Sequence, residues 1–316
     1  MAPAKTTIAA ASATSSDLLA LMKLIVLGAA AGGGLPQWNC ACRNCNDART
    51  GKLPQMTQSS VAVSADGETW VILNASPDIR AQLAAQPALH PKTLREAPMQ
   101  AVVLTNGDID HIAGLLDLRE KSPFTVYATA AGQDILSGNS VFSVMDSELV
   151  AREQIMLDEA FSPVPGLKIT PFAVPGKVAL FLEGDEVKLE EVGEQTVGLL
   201  LESATSRAAY IPGCAKVPDW LLDRLAGIDL LLFDGTVWNN DDMARTGTGE
   251  KTGARMGHLP LNGAGGSLER FAGLETRKML IHINNTNPIL QPASAERAEV
   301  VSKGWEIAQD GLEITL

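Results

Sequence analysis

The sequence is poor in aromatic residues, in histidine and in cysteine, and each shortage excludes something. Aromatics make up only 4% of the 316 residues, so a stacking platform for single-stranded nucleic acid is not expected. No dense Lys/Arg run occurs, and the formal charge is −12 with a pI near 4.8. Such a surface does not attract phosphate backbones, and no nucleic-acid partner is expected. No apolar stretch reaches the roughly 18 residues of a membrane span, so none is expected. There are four cysteines, Cys40, Cys42, Cys45 and Cys214, and three of them fall within six residues. That is not a disulfide framework, and it suits a reducing cytoplasm.

What is present is a large apolar fraction, 46%, enough for one large domain or two small ones. Residues 1–21 are Ala/Ser/Thr-rich without a secretory apolar region. They are expected to be a disordered extension, with Met22 as the functional start and 22–316 as the folded domain. No internal repeat or linker stands out after residue 21.

Short apolar, β-branched runs recur as strands: Met22–Gly28, Ser59–Ser64, Trp70–Asn74, Ala101–Leu104, Phe124–Ala128, Leu167–Val174, Val178–Leu182, Val197–Glu202, Ala208–Ile211, Ile228–Phe233 and Lys278–Ile283. Helical spacing follows Asp78 (Ile79, Leu83, Ala84), His111 (Ile112, Leu115, Leu116, Leu118), Thr129 and Cys214 (Trp220, Leu221, Leu225), and marks 266–273 and about 293–304, before a final strand. Residues 145–165 carry no clear period. Gly32-Gly33-Gly34 follows the first strand, but Leu35-Pro36 is no helix start, so a dinucleotide loop is not supported.

Chemistry-bearing residues gather at strand ends. Asp108, Asp110 and His111 follow one strand, Asp234 ends another, and His282 lies on a third. A glycine- and charge-rich loop, about 239–262, brings Met256-Gly257-His258-Leu259-Pro260. Three of the four histidines occupy such places. His90, in a proline-flanked polar stretch, has no assigned role. Strand ends are where α/β architectures build ligand sites, and a carboxylate beside an imidazole can turn onto one cation. The plain alternative is that Asp110 caps a helix. Arg80 reads as solvated and Cys214 as a small buried residue. Cys40-Ala41-Cys42-Arg43-Asn44-Cys45 puts three thiolates on a tight turn, enough to converge on a structural Zn²⁺. The fourth ligand is left open among Asp47, Asn285 and a histidine.

Taken in order, the Asp-His loop, Gly-His-x-Pro and His282-Ile283-Asn284-Asn285-Thr286-Asn287-Pro288 resemble the metallo-β-lactamase fold. With the cysteine loop, Asn74-Ala75-Ser76-Pro77-Asp78 and Ile109-Asp110-His111, the chain from Met22 to Leu316 resembles the pyrroloquinoline quinone (PQQ) biosynthesis protein B family. The resemblance implies an αββα sandwich of two mixed sheets flanked by helices. Two-metal members of this fold carry His-x-His-x-Asp-His, and here Asn106 and Asp108 hold the first two histidine positions. Val174-Pro175-Gly176 offers no further histidine, and Cys214 lies where a bridging aspartate is expected. Asp110, His111 and His282 survive, and two imidazoles with one carboxylate are the facial set of non-haem Fe(II) oxygenases.

The resemblance further implies hydroxylation of the tyrosine ring of a cross-linked Glu-Tyr precursor, with Fe²⁺ and O₂. Asp110, His111 and His282 are then the iron ligands. Asp108 is a further ligand or the acceptor for a ligand imidazole N–H. His258 is a general acid/base oriented by Asp234. Asn284, Asn285 and Asn287 fix the loop behind His282. Partners on this reading are the dipeptide precursor of PQQ and other PQQ biosynthesis proteins, and a homodimer is compatible with it. The rivals are a phosphodiesterase-like metal hydrolase of the same fold and a non-enzymatic PQQ-binding or transport protein.

Overall fold

The structure is a computed structural model that describes residues 21–184 and 189–316. The expected N-terminal extension, up to residue 20, and residues 185–188 lie outside the described residues. In chain order the elements are β1 (Lys23–Gly28), α1 (Arg43–Arg49), β2 (Ser60–Ser64), β3 (Trp70–Leu73), α2 (Ile79–Ala85), β4 (Met99–Val103), α3 (Ile109–Ile112), β5 (Phe124–Ala128), α4 (Ala130–Gly138), β6 (Val150–Gln154), β7 (Phe161–Val164) and β8 (Leu167–Gly176). There follow β9 (Glu191–Glu202), β10 (Arg207–Ile211), α5 (Asp219–Arg224), β11 (Leu230–Asp234), α6 (Asp242–Arg245), α7 (Gly253–Met256), α8 (Ser267–Arg270), β12 (Arg277–Ile281), α9 (Ala295–Ser302), β13 (Trp305–Ile307) and β14 (Glu313–Thr315).

Among the described residues the strands form two seven-stranded sheets, ordered β14-β1-β2-β3-β4-β5-β6 and β13-β12-β11-β10-β9-β8-β7. Both are mixed: β3 through β6 run parallel to one another, and so do β10 through β13, while the hairpin pairs are antiparallel. Strands such as β2, β3 and β11 are buried at every position. Alternation survives nonetheless, divided between two cores. Leu24, Val26, Val61, Val63, Val71 and Leu73 point to the core between the sheets. Ile25, Leu27, Ala62, Trp70 and Ile72 point outward beneath Ile79, Ile112, Leu115 and Leu136 of the covering helical segments. A strand covered on both faces reads as a continuous apolar run, which explains the pattern of the sequence.

The two sheets are stitched together at one end, where the site lies. Ala31 N–H donates to Ile283 O (2.9 Å), Ile283 N–H to Ala29 O (2.9 Å) and Val197 N–H to Thr105 O (2.9 Å). Asn74 anchors the same end. Its φ is +61° and it is fully buried. Its Oδ1 accepts from Thr105 N (2.9 Å), and its Nδ2 donates to Thr105 Oγ1 (2.9 Å). Asn74→Ala would strand the Thr105 amide and keep the left-handed backbone without its compensation. An expected loss of about 2–4 kcal/mol follows. Denaturant unfolding measures it, and a loss below ~0.5 kcal/mol, the range of a neutral surface change, would contradict this role.

Four sequence expectations need correction. The helix after His111 is a single turn, α3, passing into a 3₁₀ turn at Ala113–Leu116. The cause is close docking: a Cβ at Gly114 would lie 2.1 Å from Ser76 O, and Gly114 N–H donates to Ala75 O (2.9 Å). Residues 178–182 are not a strand. They form an apolar strap with a 3₁₀ turn at Leu180–Leu182, whose side chains stand 55%, 44% and 49% exposed. α2 buries Ile79 and Gln82, while Ala84 is exposed. His282 lies one residue beyond β12, at φ +58°. The 145–165 stretch holds β6 and β7, and the long loop contains α6 and α7.

Candidate metal centres

β4 delivers Thr105-Asn106-Gly107-Asp108, and α3 then carries Asp110 and His111. Ala75 N–H donates to His111 O (2.8 Å), holding that turn against the β3 end. Asn106 Oδ1 accepts from Asp108 N–H (3.0 Å) and lies 2.7 Å from His111 Nδ1. A carbonyl oxygen only accepts, so Nδ1 bears the proton. His111 Nε2 is then a bare lone pair. It is buried and has no hydrogen-bond partner, which a cation would satisfy.

The same device sets His282. Thr236 Oγ1 donates its single proton to Asp234 Oδ1 (2.6 Å) and lies 2.8 Å from His282 Nδ1, whose proton it must accept. The Nε2 of His282 sits 3.0 Å from Asp110 Oδ2, and His111 Nε2 is 3.9 Å from the same oxygen. One donor atom from each of Asp110, His111 and His282 lies within 4.8 Å of the others. This is the set expected from sequence, brought together from two sheets.

Burial works against a charged Asp110, but its interactions with His111 and with the hydrogen-bonded His282 overcome it and hold the carboxyl well below the usual range. Burial pushes His111 down towards the neutral, ligating form. For His282 burial pulls the same way, but the Asp110 hydrogen bond and charge outweigh it and raise the imidazole. Asp110 therefore holds a proton on His282 that a metal would displace.

Asp234, His258 and His282 form an overlapping group. Asp234, however, is saturated. It accepts from Thr236 N (3.0 Å), Thr236 Oγ1, Cys214 N (3.0 Å) and His258 Nδ1 (2.7 Å). It orients His258, whose Nε2 is left free, and the His258 and His282 rings stack with centroids 5.1 Å apart. Asp108 departs from one of its two expected roles: the acceptor for the His111 N–H is Asn106, and Asp108 Oδ1 takes Leu180 N–H (3.2 Å). It still faces the cavity of about 260 Å³ that contains Asp110, His111, His258 and His282. Lys177, Lys251 and Arg255 also line it, and no sequence motif pointed to these three. A larger cavity, about 410 Å³, lies beside Cys42 and Gln291 without convergent imidazoles.

The sulfurs of Cys40, Cys42 and Cys45 also lie within 4.8 Å of one another. Burial pushes the Cys42 thiol up to about 11, so its ionisation requires a cation to take the charge. Asn285 reaches all three sulfurs, at 3.3, 3.7 and 3.2 Å. Turned about, its amide offers Oδ1 as a fourth ligand. Asp47 is taken by Lys52, Arg43 and Gln291, and no histidine joins the group. Cys214 is buried, with Sγ donating to Lys216 O. His90 and Arg80 lie on the surface, away from these groups.

Residues 69–283 match the model of the β-lactamase superfamily domain. The chain is 57% identical to coenzyme PQQ synthesis protein B of Ruegeria pomeroyi, over 93% of this chain and 100% of that protein. It belongs to the coenzyme PQQ synthesis protein B family. The Rhizobium meliloti member is 56% identical, over 93% of this chain and 98% of its own. The 1.98 Å crystal structure of Zn²⁺-bound PqqB from Methylobacterium extorquens superposes with a TM-score of 0.92 at 53% identity, covering 93% of this chain and all of that one. A diphosphatase of the PhnP family shares the fold, with a TM-score of 0.68 at 22% identity, over 94% and 97% of the two chains. The αββα sandwich of the metallo-β-lactamase fold is thus the architecture of this chain, as its family resemblance implies. Among the described residues no helix is long and apolar enough to cross a membrane.

Proposed function

We propose that this chain acts in PQQ synthesis as an Fe²⁺- and O₂-dependent hydroxylase of the tyrosine ring in a cross-linked Glu-Tyr precursor, in the cytoplasm and alongside other PQQ synthesis proteins. The observation that carries it is the donor set: two imidazoles whose Nε2 atoms face one carboxylate, with Asn106 orienting His111 from a position where a two-metal site has a ligand. Asp110, His111 and His282 would hold the iron, and Cys40, Cys42 and Cys45 a structural Zn²⁺. Iron bound by such a set supplies O₂ activation.

The remaining work falls to the chain. Asn106 and Thr236 fix the ligand tautomers. Asp234 holds His258 with Nε2 free, placing a base where a phenolic proton can be received. Asp108 keeps the strap over the cavity. A two-metal form of the hydrolytic alternative would need a second cation, and Asp234 is already saturated by hydrogen bonds. The diphosphatase likeness bears on fold alone.

The test is oxygen uptake by iron-reconstituted protein with a Glu-Tyr dipeptide and ascorbate as two-electron reductant. One atom of isotopically labelled O₂ is expected in the ring and the other in water. No uptake with iron confirmed bound would sink the proposal. Phosphodiester cleavage with Mn²⁺ or Zn²⁺ would favour the hydrolase. PQQ binding indifferent to loss of Asp110 and His282 would favour a carrier.

A further inference from the structure

The catalytic cavity has a cationic side that the metal chemistry does not use. Lys177 follows β8, and its side chain is only 10% exposed. Its stem packs on Gly257, where a Cβ would meet Lys177 Cγ at 3.1 Å. Arg255 comes from α7, three residues before His258. Both cations converge on Glu183, at the end of the apolar strap. Lys177 Nζ lies 3.1 Å from Glu183 Oε1, and Arg255 grips the carboxylate two-pronged at 3.1 and 2.8 Å. The Glu183 side chain is 8% exposed. The Arg255 hydrogen bonds, against burial and with help from Lys177, hold its carboxyl down at about 2. Lys251 also lines the cavity and forms no ion pair among the described residues.

We infer that Lys177 and Arg255 form a seat for a substrate carboxylate, and that Glu183 occupies this seat in the free protein as the chain's own stand-in. The inference rests on the proposed function only in taking the cavity as a substrate site. Three observations carry it. Two cations meet one carboxylate, and burying a lysine for a mere strap fastening is expensive when apolar packing would serve. A planar guanidinium accepts any carboxylate of the same geometry two-pronged, so a substrate carboxylate can replace Glu183. Finally, a chain of charge −12 repels anions unless it concentrates cations locally.

The strap completes the picture. It is tied at one point by Leu180 N–H to Asp108 and at another by Glu183. Between them Leu180 lines the cavity, and Phe181 and Leu182 stand exposed beside it in the chain. Displacing Glu183 frees this apolar segment to cover an aromatic ring. The ligand class is therefore an aromatic carrying more than one carboxylate, with Lys251 placed to take another.

Calorimetric titration of the full-length zinc-loaded chain without O₂ tests the seat. The probes are the Glu-Tyr dipeptide with free carboxylates and the same dipeptide with its carboxyls amidated. A preference for the acid of about tenfold or more is expected. Lys177→Met should bring the ratio close to one, whereas Glu183→Gln should raise it about threefold or more by removing the competitor. A ratio unchanged or lowered in Glu183→Gln would overturn the stand-in role. Independently of any variant, the acid probe should speed hydrogen exchange at the amides of 180–183 in the wild-type chain, and the amidated probe should not. Equal exchange with both probes would also overturn it. Because no oxygen is present, failed hydroxylation leaves these ratios standing. Intact hydroxylation with a ratio near one strikes the seat alone.

Discussion

Replacing His282 with alanine is expected to remove one metal equivalent per chain and all measurable oxygen uptake, while the cysteine-held metal stays. His282 supplies the ligand atom that crosses from the second sheet to the first, with Nε2 3.0 Å from Asp110. Without it only the adjacent pair Asp110 and His111 remains, and two donors from one turn hold a cation poorly. Loss of a supporting partner around a metal costs about 10–100-fold, so loss of a ligand itself is expected to exceed about a thousandfold. Two variants separate holding from chemistry. Thr236→Val removes the acceptor for His282 Nδ1–H and is expected to cost about 10–100-fold in metal affinity. His258→Ala is expected to retain the metal and lose about 10²–10⁴ in rate. The measurement is metal content and oxygen uptake on anaerobically purified protein. Zinc outcompetes iron at imidazole and carboxylate donors, so iron must be loaded with zinc absent from this site. Full metal content in His282→Ala would refute the ligand set.

Cys45→Ala is the second large effect. Cys45 is fully buried in α1, and its sulfur closes a turn whose other ties are hydrogen bonds such as Asn44 to Asn285 O and Arg49 to Gln37 O. Residues 32–42 contain no helix or strand, and α1 is seven residues long with no side-chain cap. Structural zinc is worth up to about 10–16 kcal/mol in domains that cannot fold without it. Here the two cores stand on their own, so an expected loss of about 3–5 kcal/mol is reasonable for one disordered flank. That corresponds to a thermal midpoint lower by roughly 5–8 °C. Differential scanning calorimetry with metal analysis decides it: an unchanged midpoint and an unchanged zinc content would remove the structural role.

The sheets were legible because strands buried on both faces leave runs that nothing else produces. Asp110-His111 and the three cysteines were legible because their spacing is local. The strap departs from its sequence pattern for the opposite reason: Val178–Leu182 is as apolar as a core strand, yet Leu180, Phe181 and Leu182 stand exposed. The single-turn α3 follows from backbone docking at Gly114, which no periodicity records. Asn106 stands out in the sequence as a departure from the two-metal motif, but its use as the His111 acceptor depends on a turn. The Lys177, Glu183 and Arg255 cluster spans 78 residues between its outer members, and charged residues in loops carry no signal of whom they meet.

The segment from His282 to Asn287 serves both centres at once. His282 reaches the catalytic cavity, and three residues later Asn285 rests against the cysteine sulfurs, while Asn44 of α1 donates to Asn285 O and Asn287 O. Metal at the cysteines is therefore expected to steady the backbone that aims His282, whereas loss of the His282 ring leaves the cysteine ligands in place. A preparation stripped at the cysteines lets go of the backbone that aims His282. On the proposed function, turnover across batches of uneven metal content is then expected to track the cysteine-held metal as well as the iron.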